Sequence, residues 1–440
     1  MATCRPQLKA GDTGRDLRGA ASRSLQSRSS ASGMYSNRKP TILIVVGNYL
    51  PGFKAGGILR SVVNIVEHLH DRFDFLVITR DRDVGDDQPY AGIVTGQWVT
   101  VGNAKVHYLS PGSAGLAALA AVASQQHYDV LYLNSFFEPL CIRMLLNSRL
   151  GRVAARPVVV SPRGEFAWAS LRLKYPKKLL FISAARLARL FKRVVWHAAN
   201  AEEAADIGAV MNVRRREMVL AGDLPTLNQN LENGDPTEPL PAEDGLRIVF
   251  FSRISPEKNL DFVLRVLAAT RIRASLDIIG PLENKDYWAA CQRLIDHMPR
   301  NVTVRHRGTI RPSEAVFTLA RYDLMFFPSG GESYGHVIAE ALTVGTPVLT
   351  STHTPWRDLE QKGLGWDLPL HDPAAFVRCL EQFAALDDAS RADRRVAARE
   401  AARELLTGTD ASDAHARLFY RALKTGRDMP IEPSGSLLGD

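Results

Sequence analysis

The chain has no run of about 20 apolar residues, the length that spans a bilayer. Segment 113–124 (SAGLAALAAVAS) is too short, and Arg186 and Arg189 interrupt the apolar residues between Leu179 and Val195. Cysteine is scarce: Cys4, Cys141, Cys291 and Cys379 stand far apart, with no Cys-x-x-Cys pair. That spacing excludes a disulfide scaffold or a zinc-ligand set and points to a reducing, cytoplasmic setting. Residues 1–38 lack the apolar stretch of a secretory signal, and Asp12 and Asp16 do not suit a transit peptide. Rich in Arg, Ser, Gly and Ala, they read as a disordered leader. G-x-G-x-x-G and G-x-x-x-x-G-K-[ST] are both absent, so neither a dinucleotide fingerprint nor a P-loop is expected. The nearest Asp-x-Asp, Asp81-Arg82-Asp83, reads as a surface turn, and no histidine is assigned as a metal ligand.

What is present is a long, well-mixed chain. Its 440 residues are too many for one ordinary core, so two domains are expected. Hydrophobic content of 45% and charged content of 23% are those of a globular protein. The net charge of +8 favours an anionic partner.

From residue 41 a short apolar run, a turn and a helical stretch alternate. Unbroken runs at 41–49, 74–81, 104–110, 129–134, 157–162 and 218–223 predict buried strands. Residues 226–244 (TLNQNLENGDPTEPLPAED) lose periodicity and read as a linker. The alternation restarts with runs at 246–254, 275–281, 301–308, 323–329 and 346–351, with helices over 259–269 and 283–298. The expected architecture is α/β: two tandem, doubly wound, Rossmann-like domains at 39–225 and 245–410 facing each other across a cleft. A helix over 411–427 can pack back on the first domain, and 428–440 reads as a disordered tail.

Open α/β sheets bind ligands beyond the carboxyl ends of their strands, and three motifs fall there. Gly56-Gly57 follows the first strand and opens a helix, so backbone N–H groups can approach an anion closely. Arg253 follows the strand 246–254, with Lys258 five positions on; two fixed cations at such a junction can clamp a diphosphate. The third motif is PSGGESYGHVIAEALTVGTPV (328–348), a strand end, a glycine loop and a helix. Glu332 lies in the loop and Glu340 more than a turn inside the helix, separated along its axis by the rise of about 1.5 Å per residue. The N–H groups of Tyr334, Gly335 and His336, beside Ser333, are placed to meet phosphates. The two carboxylates are placed to accept from hydroxyls at opposite ends of a ligand. A sugar–phosphate–ribose fits this better than a plain anion.

Glu332-x7-Glu340, preceded by PSGG and followed by ALTVGTPV, resembles the signature of retaining glycosyltransferase family 4. Arg253 and Lys258 are similar to that family's Arg…Lys pair, and Gly56-Gly57 to its first-domain glycine loop; the likeness runs over about 40–370. The resemblance implies a GT-B fold whose second domain holds a nucleotide diphospho-sugar. Glu340 would then hold the ribose hydroxyls and Glu332 the transferred sugar, with Arg253 and Lys258 neutralising the departing diphosphate. It also implies retention through front-face attack assisted by a diphosphate oxygen, with no metal and no cofactor.

The chain departs from the pattern where many members carry a histidine in the first domain. Here LYLNSFFEP supplies Asn134, and SPRGEF supplies Arg163 and Glu165, which become the acceptor-side candidates. The segment 177–196 (KKLLFISAARLARLFKRVVW) reads as a basic amphipathic helix suited to an anionic membrane surface. A sugar or lipid-linked sugar acceptor is therefore expected, with the protein cytoplasmic and peripheral on the inner face of the membrane. Nucleic acid is not, since the basic stretch is not patterned as a stacking platform. Two other readings share the architecture: a nucleotide-sugar epimerase or hydrolase, and a non-catalytic nucleotide-sugar-binding protein.

Overall fold

A computed structural model describes residues 38–171, 175–226, 245–406 and 410–427. The leader apart from Arg38, the linker apart from Thr226 and the tail 428–440 lie outside the described residues.

The first sheet contains β1 (Thr41–Val45), β2 (Asp74–Arg80), β3 (Trp98–Val101), β4 (Ala104–Leu109), β5 (Val130–Asn134), β6 (Val158–Ser161), β7 (Val195–Ala198) and β8 (Met218–Leu220). Their order is β3-β4-β2-β1-β5-β6-β7-β8, parallel throughout except where β3 pairs antiparallel with β4. The second sheet contains β9 (Leu246–Phe251), β10 (Ala274–Ile279), β11 (Val302–Gly308), β12 (Leu324–Phe327), β13 (Val348–Ser351) and β14 (Gly365–Leu368), in the parallel order β11-β10-β9-β12-β13-β14. In each sheet the chain winds outward one way from β1 or β9 and then returns to start the other side at β5 or β12. That reversal makes a crevice beyond the strand ends.

β1, β5 and β6 are buried along their whole length, as are β10, β12 and β13. This burial on both faces is why they read as unbroken β-branched and apolar runs. The helix Asp410–Arg427 returns to the first domain, where Phe419 meets Phe73, Phe75 and Tyr132 edge-on at ring distances of 5.3, 6.4 and 5.4 Å.

One expected element is corrected. The basic helix predicted over 177–196 ends at Leu187, within the helix Tyr175–Leu187, because Arg189 and Arg193 both take left-handed φ angles (52° and 59°). Arg149 donates to the Leu190 and Lys192 carbonyls and holds the turn between them. Val195 and Trp196 then enter β7. Trp196 is 1% exposed and stacks on Phe191 and Phe136, so tertiary burial of an aromatic side chain overrode the helical pattern. Strands β3 and β14 were also missed: both are short, and β3 is only half-buried at a sheet edge.

Candidate functional site

The site is assembled where β9 and β12 of the second domain end and the helix Gly57–Leu69 of the first domain begins. After β9 the chain makes a 3₁₀ turn, Pro256–Lys258, closed by Asn259 in the left-handed region. After β12 comes the loop Pro328–Gly331. The two are fastened together: Asn259 Nδ2 donates to the Pro328 carbonyl at 2.8 Å, and the Gly330 N–H donates to the Glu257 carbonyl at 2.7 Å. This lashing brings together side chains 74 positions apart, with Lys258 Nζ donating to Glu332 Oε1 at 2.5 Å. Both are largely buried, with side-chain exposures of 11% and 15%.

Arg253 lies beside them and pairs with Glu283 at 2.5 Å and with Glu257 at 3.7 Å. Gly335, at φ 81°, begins the helix His336–Thr343 with no side-chain cap, so the first backbone donors of that helix have no capping oxygen. Glu340 is buried inside the same helix.

The first domain closes this arrangement from the other side. Gly56, at φ 72°, precedes the helix Gly57–Leu69, and a Cβ there would lie 3.4 Å from Arg253 Nε. Arg60 donates to Glu340. Ser61 Oγ and His336 Nε2 lie 3.0 Å apart, and Asn200 Nδ2 donates to the Ser333 carbonyl at 3.1 Å. The sequence-predicted residues Gly56, Gly57, Arg253, Lys258, Glu332, Ser333, Tyr334, Gly335, His336 and Glu340 therefore gather at one seam between the domains. Arg60, Ser61, Asn200, Glu257 and Glu283 were not anticipated. Arg60 had a signal, since it stands three positions after Gly57 at the start of an amphipathic helix.

Charge in the seam follows from burial. Burial pushes the Glu340 carboxyl up, and the guanidinium of Arg60 opposes it. Burial holds His336 down at about 4, against the upward pull of Asp223; Arg60 and Arg163 add to the depression. Its Nδ1 is enclosed with no hydrogen-bond partner, as fits a neutral ring. Burial by itself would raise Asp223, yet Arg163, His336, a hydrogen bond from Ser61 and His197 together outweigh it and the acid sits at about 2.

The acceptor-side candidates Asn134, Arg163 and Glu165 lie at the ends of β5 and β6. Arg163 pairs with Asp223 at 2.7 Å, donates to Asn134 Oδ1 and the Tyr132 hydroxyl oxygen, and has a side chain only 3% exposed. Glu165 accepts from Ser135 Oγ at 2.7 Å and from the Phe136 and Phe137 N–H groups. Arg163 and Glu165 brace the ends of β5 and β6 within the first domain, because a buried charge is retained only where its partners are supplied, while Asn134 Nδ2 is enclosed with no partner.

Residues 235–405, most of the second domain, match the family described as "Glycosyl transferases group 1". Among solved structures, the chain is similar to Anabaena Alr3699/HepE in complex with UDP and glucose (TM-score 0.62, 16% identity, 87% of this chain and 100% of that one). It is also similar to the sucrose-phosphate synthase of Thermosynechococcus elongatus (TM-score 0.62, 15% identity, 88% and 99%). The fold is thus GT-B, that of glycosyltransferases with two facing Rossmann-like domains. Curated relatives include the D-inositol 3-phosphate glycosyltransferases of Streptomyces scabiei and Streptomyces avermitilis. The first is 28% identical over 190 residues (41% of this chain), the second 29% over 197 (42% of this chain). The chain spans 42% of the length of each.

Proposed function

We propose that this protein is a retaining, metal-independent glycosyltransferase of family 4, moving a sugar from a nucleotide diphospho-sugar to a hydroxyl acceptor. The observation that carries the reading is the seam itself. Two carboxylates flank an uncapped helix N-terminus, and two cations stand at the adjacent strand end. The match to "Glycosyl transferases group 1" over the same domain supports it, as do the UDP-bound and UDP-glucose-bound states of the Anabaena neighbour.

In this reading the diphosphate lies on the N-terminus of the helix His336–Thr343, beside Gly56 and Gly57. Lys258 and Arg253 turn from their carboxylate partners to the phosphate oxygens. As the bond from the sugar's anomeric carbon to the diphosphate breaks, these fixed donors stabilise the charge that develops on the leaving group. An acceptor hydroxyl attacks the same face, and its proton passes to the departing diphosphate oxygen. Glu332, released from Lys258, holds hydroxyls of the transferred sugar, and Glu340 holds the ribose.

The acceptor in this proposal is a sugar or lipid-linked sugar reached from a cytoplasmic membrane face, in the assembly of a cell-surface polysaccharide, lipopolysaccharide or glycolipid. Trp168, Tyr175, Leu179, Leu180 and Leu187 are exposed on and beside the helix Tyr175–Leu187, next to Lys177 and Arg186. Apolar side chains among cations suit an anionic bilayer surface. Attachment in this reading is peripheral, and no helix among the described residues is long and apolar enough to cross a membrane. A thermal-shift screen of nucleoside diphospho-sugars, followed by product analysis with and without acceptor, tests the proposal. Stabilisation by at least one donor and acceptor-dependent sugar transfer are expected; consumption of the donor into a second nucleotide sugar without acceptor would indicate an epimerase instead.

A further inference from the structure

Glu340 meets a cation from the opposite domain. Arg60, in the first turn of the helix Gly57–Leu69, donates through Nη1 to Glu340 Oε1 across 280 positions of sequence. The carboxylate is 4% exposed and the guanidinium 21%. Oε2 of Glu340 carries no protein hydrogen bond among the described residues, and it is not an enclosed, partnerless atom. The reach of Arg60 is fixed by its neighbour, because Ser61 Oγ lies 3.0 Å from His336 Nε2, one turn before Glu340 on the same helix.

We propose that Arg60 is a positioning residue for the donor: from across the seam it orients the Glu340 carboxylate through Oε1 and leaves Oε2 to accept from the ribose hydroxyls. The ribose is then read only when the first domain is closed on the second. This deepens the proposed function and rests on it.

The physical reason is the behaviour of a buried acid. Without a cation the Glu340 site favours the neutral carboxyl, which burial already promotes, and Arg60 is the opposing charge. Tyr334, the other group coupled to Glu340, is an acid and cannot substitute. An ionised carboxylate can only accept, which suits two donating hydroxyls, whereas a neutral carboxyl offers one donor and one weaker acceptor. A planar guanidinium also fixes the carboxylate's rotation, which a point charge does less well.

The test compares uridine and guanosine diphosphates with their 2′-deoxy counterparts by titration calorimetry, in the full chain and in Arg60→Met. The unaltered chain should prefer one ribonucleotide over its deoxy form about tenfold or more, the loss expected when a charged acceptor is left without its hydroxyl. Arg60→Met should bring that ratio close to one while changing deoxynucleotide affinity little, and Arg60→Lys should restore part of it. If Arg60→Met weakens both nucleotides equally and keeps the ratio, Arg60 merely supports the fold and the inference fails alone. If the unaltered chain binds none of the four, the reading of the seam as a donor site fails and the inference with it. Should Arg60→Met not fold, Arg60→Lys decides, and an unchanged ratio there overturns the proposal.

Discussion

His415 offers a quantitative test of how firmly the closing helix belongs to the first domain. It is fully buried, its Nδ1–H donates to the Ala411 carbonyl, its Nε2 has no partner, and its ring meets His197 edge-on at 5.1 Å. Burial lowers its pKa from 6.5 to about 4; Ala411 and Asp223 pull upward, while Arg163 and His68 push down. The unfolded chain therefore takes up this proton near pH 6.5 and the folded chain only near pH 4. Between those values the unfolded state binds more protons, so stability falls as the pH is lowered. The gap of about 2.5 units, at about 1.4 kcal/mol each, makes the full loss about 3 kcal/mol, of which about 2 has gone by pH 5. His415→Leu keeps an apolar body and cannot titrate. Melting curves at pH 7.5 and pH 5 should show the unaltered chain losing roughly 2–3 °C more than the variant over that step. His197 is depressed in the same direction, chiefly by burial and in part by His415, so the difference reports His415 together with its push on His197. Parallel curves for the two proteins would refute the argument.

Three further outcomes are expected. Lys258→Met and Glu332→Gln, which break the 2.5 Å pair, should each lower sugar transfer about 10²–10³-fold with unchanged circular dichroism; rates near normal in both would dismiss the site assignment. Phe419→Ala, which empties a fully buried aromatic position against Phe73 and Phe75, should destabilise the chain by about 3–5 kcal/mol in urea unfolding, and a change below 1 kcal/mol would deny that the closing helix packs as described. Leu180→Ser with Leu187→Ser, at side chains 72% and 88% exposed, should reduce co-sedimentation with anionic vesicles while leaving the melting temperature unchanged; undiminished binding would remove this face from the membrane proposal.

The strands that bury both faces, such as β1, β5, β10 and β12, were legible because such burial writes an unbroken apolar run into the sequence. β7 was hidden behind a run of arginines and lysines with helical spacing. Only the left-handed turns at Arg189 and Arg193 and the pocket around Trp196 separate it from the helix before it. The residues that gather at the seam were legible because glycines, cations and carboxylates after strand ends follow from topology. Asn134 ends β5, and Arg163 and Glu165 follow β6, yet Asn134 Oδ1, the Arg163 guanidinium and the Glu165 carboxylate find their partners inside the first domain. Position after a strand thus marks where a side chain starts, not which partners claim it.

By itself the sequence determined the two wound sheets, the break between them and the residue types at their ends, because apolar periodicity and glycine-opened helices are local. The tertiary structure alone decided the pairing of those charges: Lys258 with Glu332, Arg60 with Glu340 and Arg163 with Asp223. Each pair joins side chains at least 60 positions apart, and only folding brings such groups within hydrogen-bond reach and removes the water that would otherwise screen them.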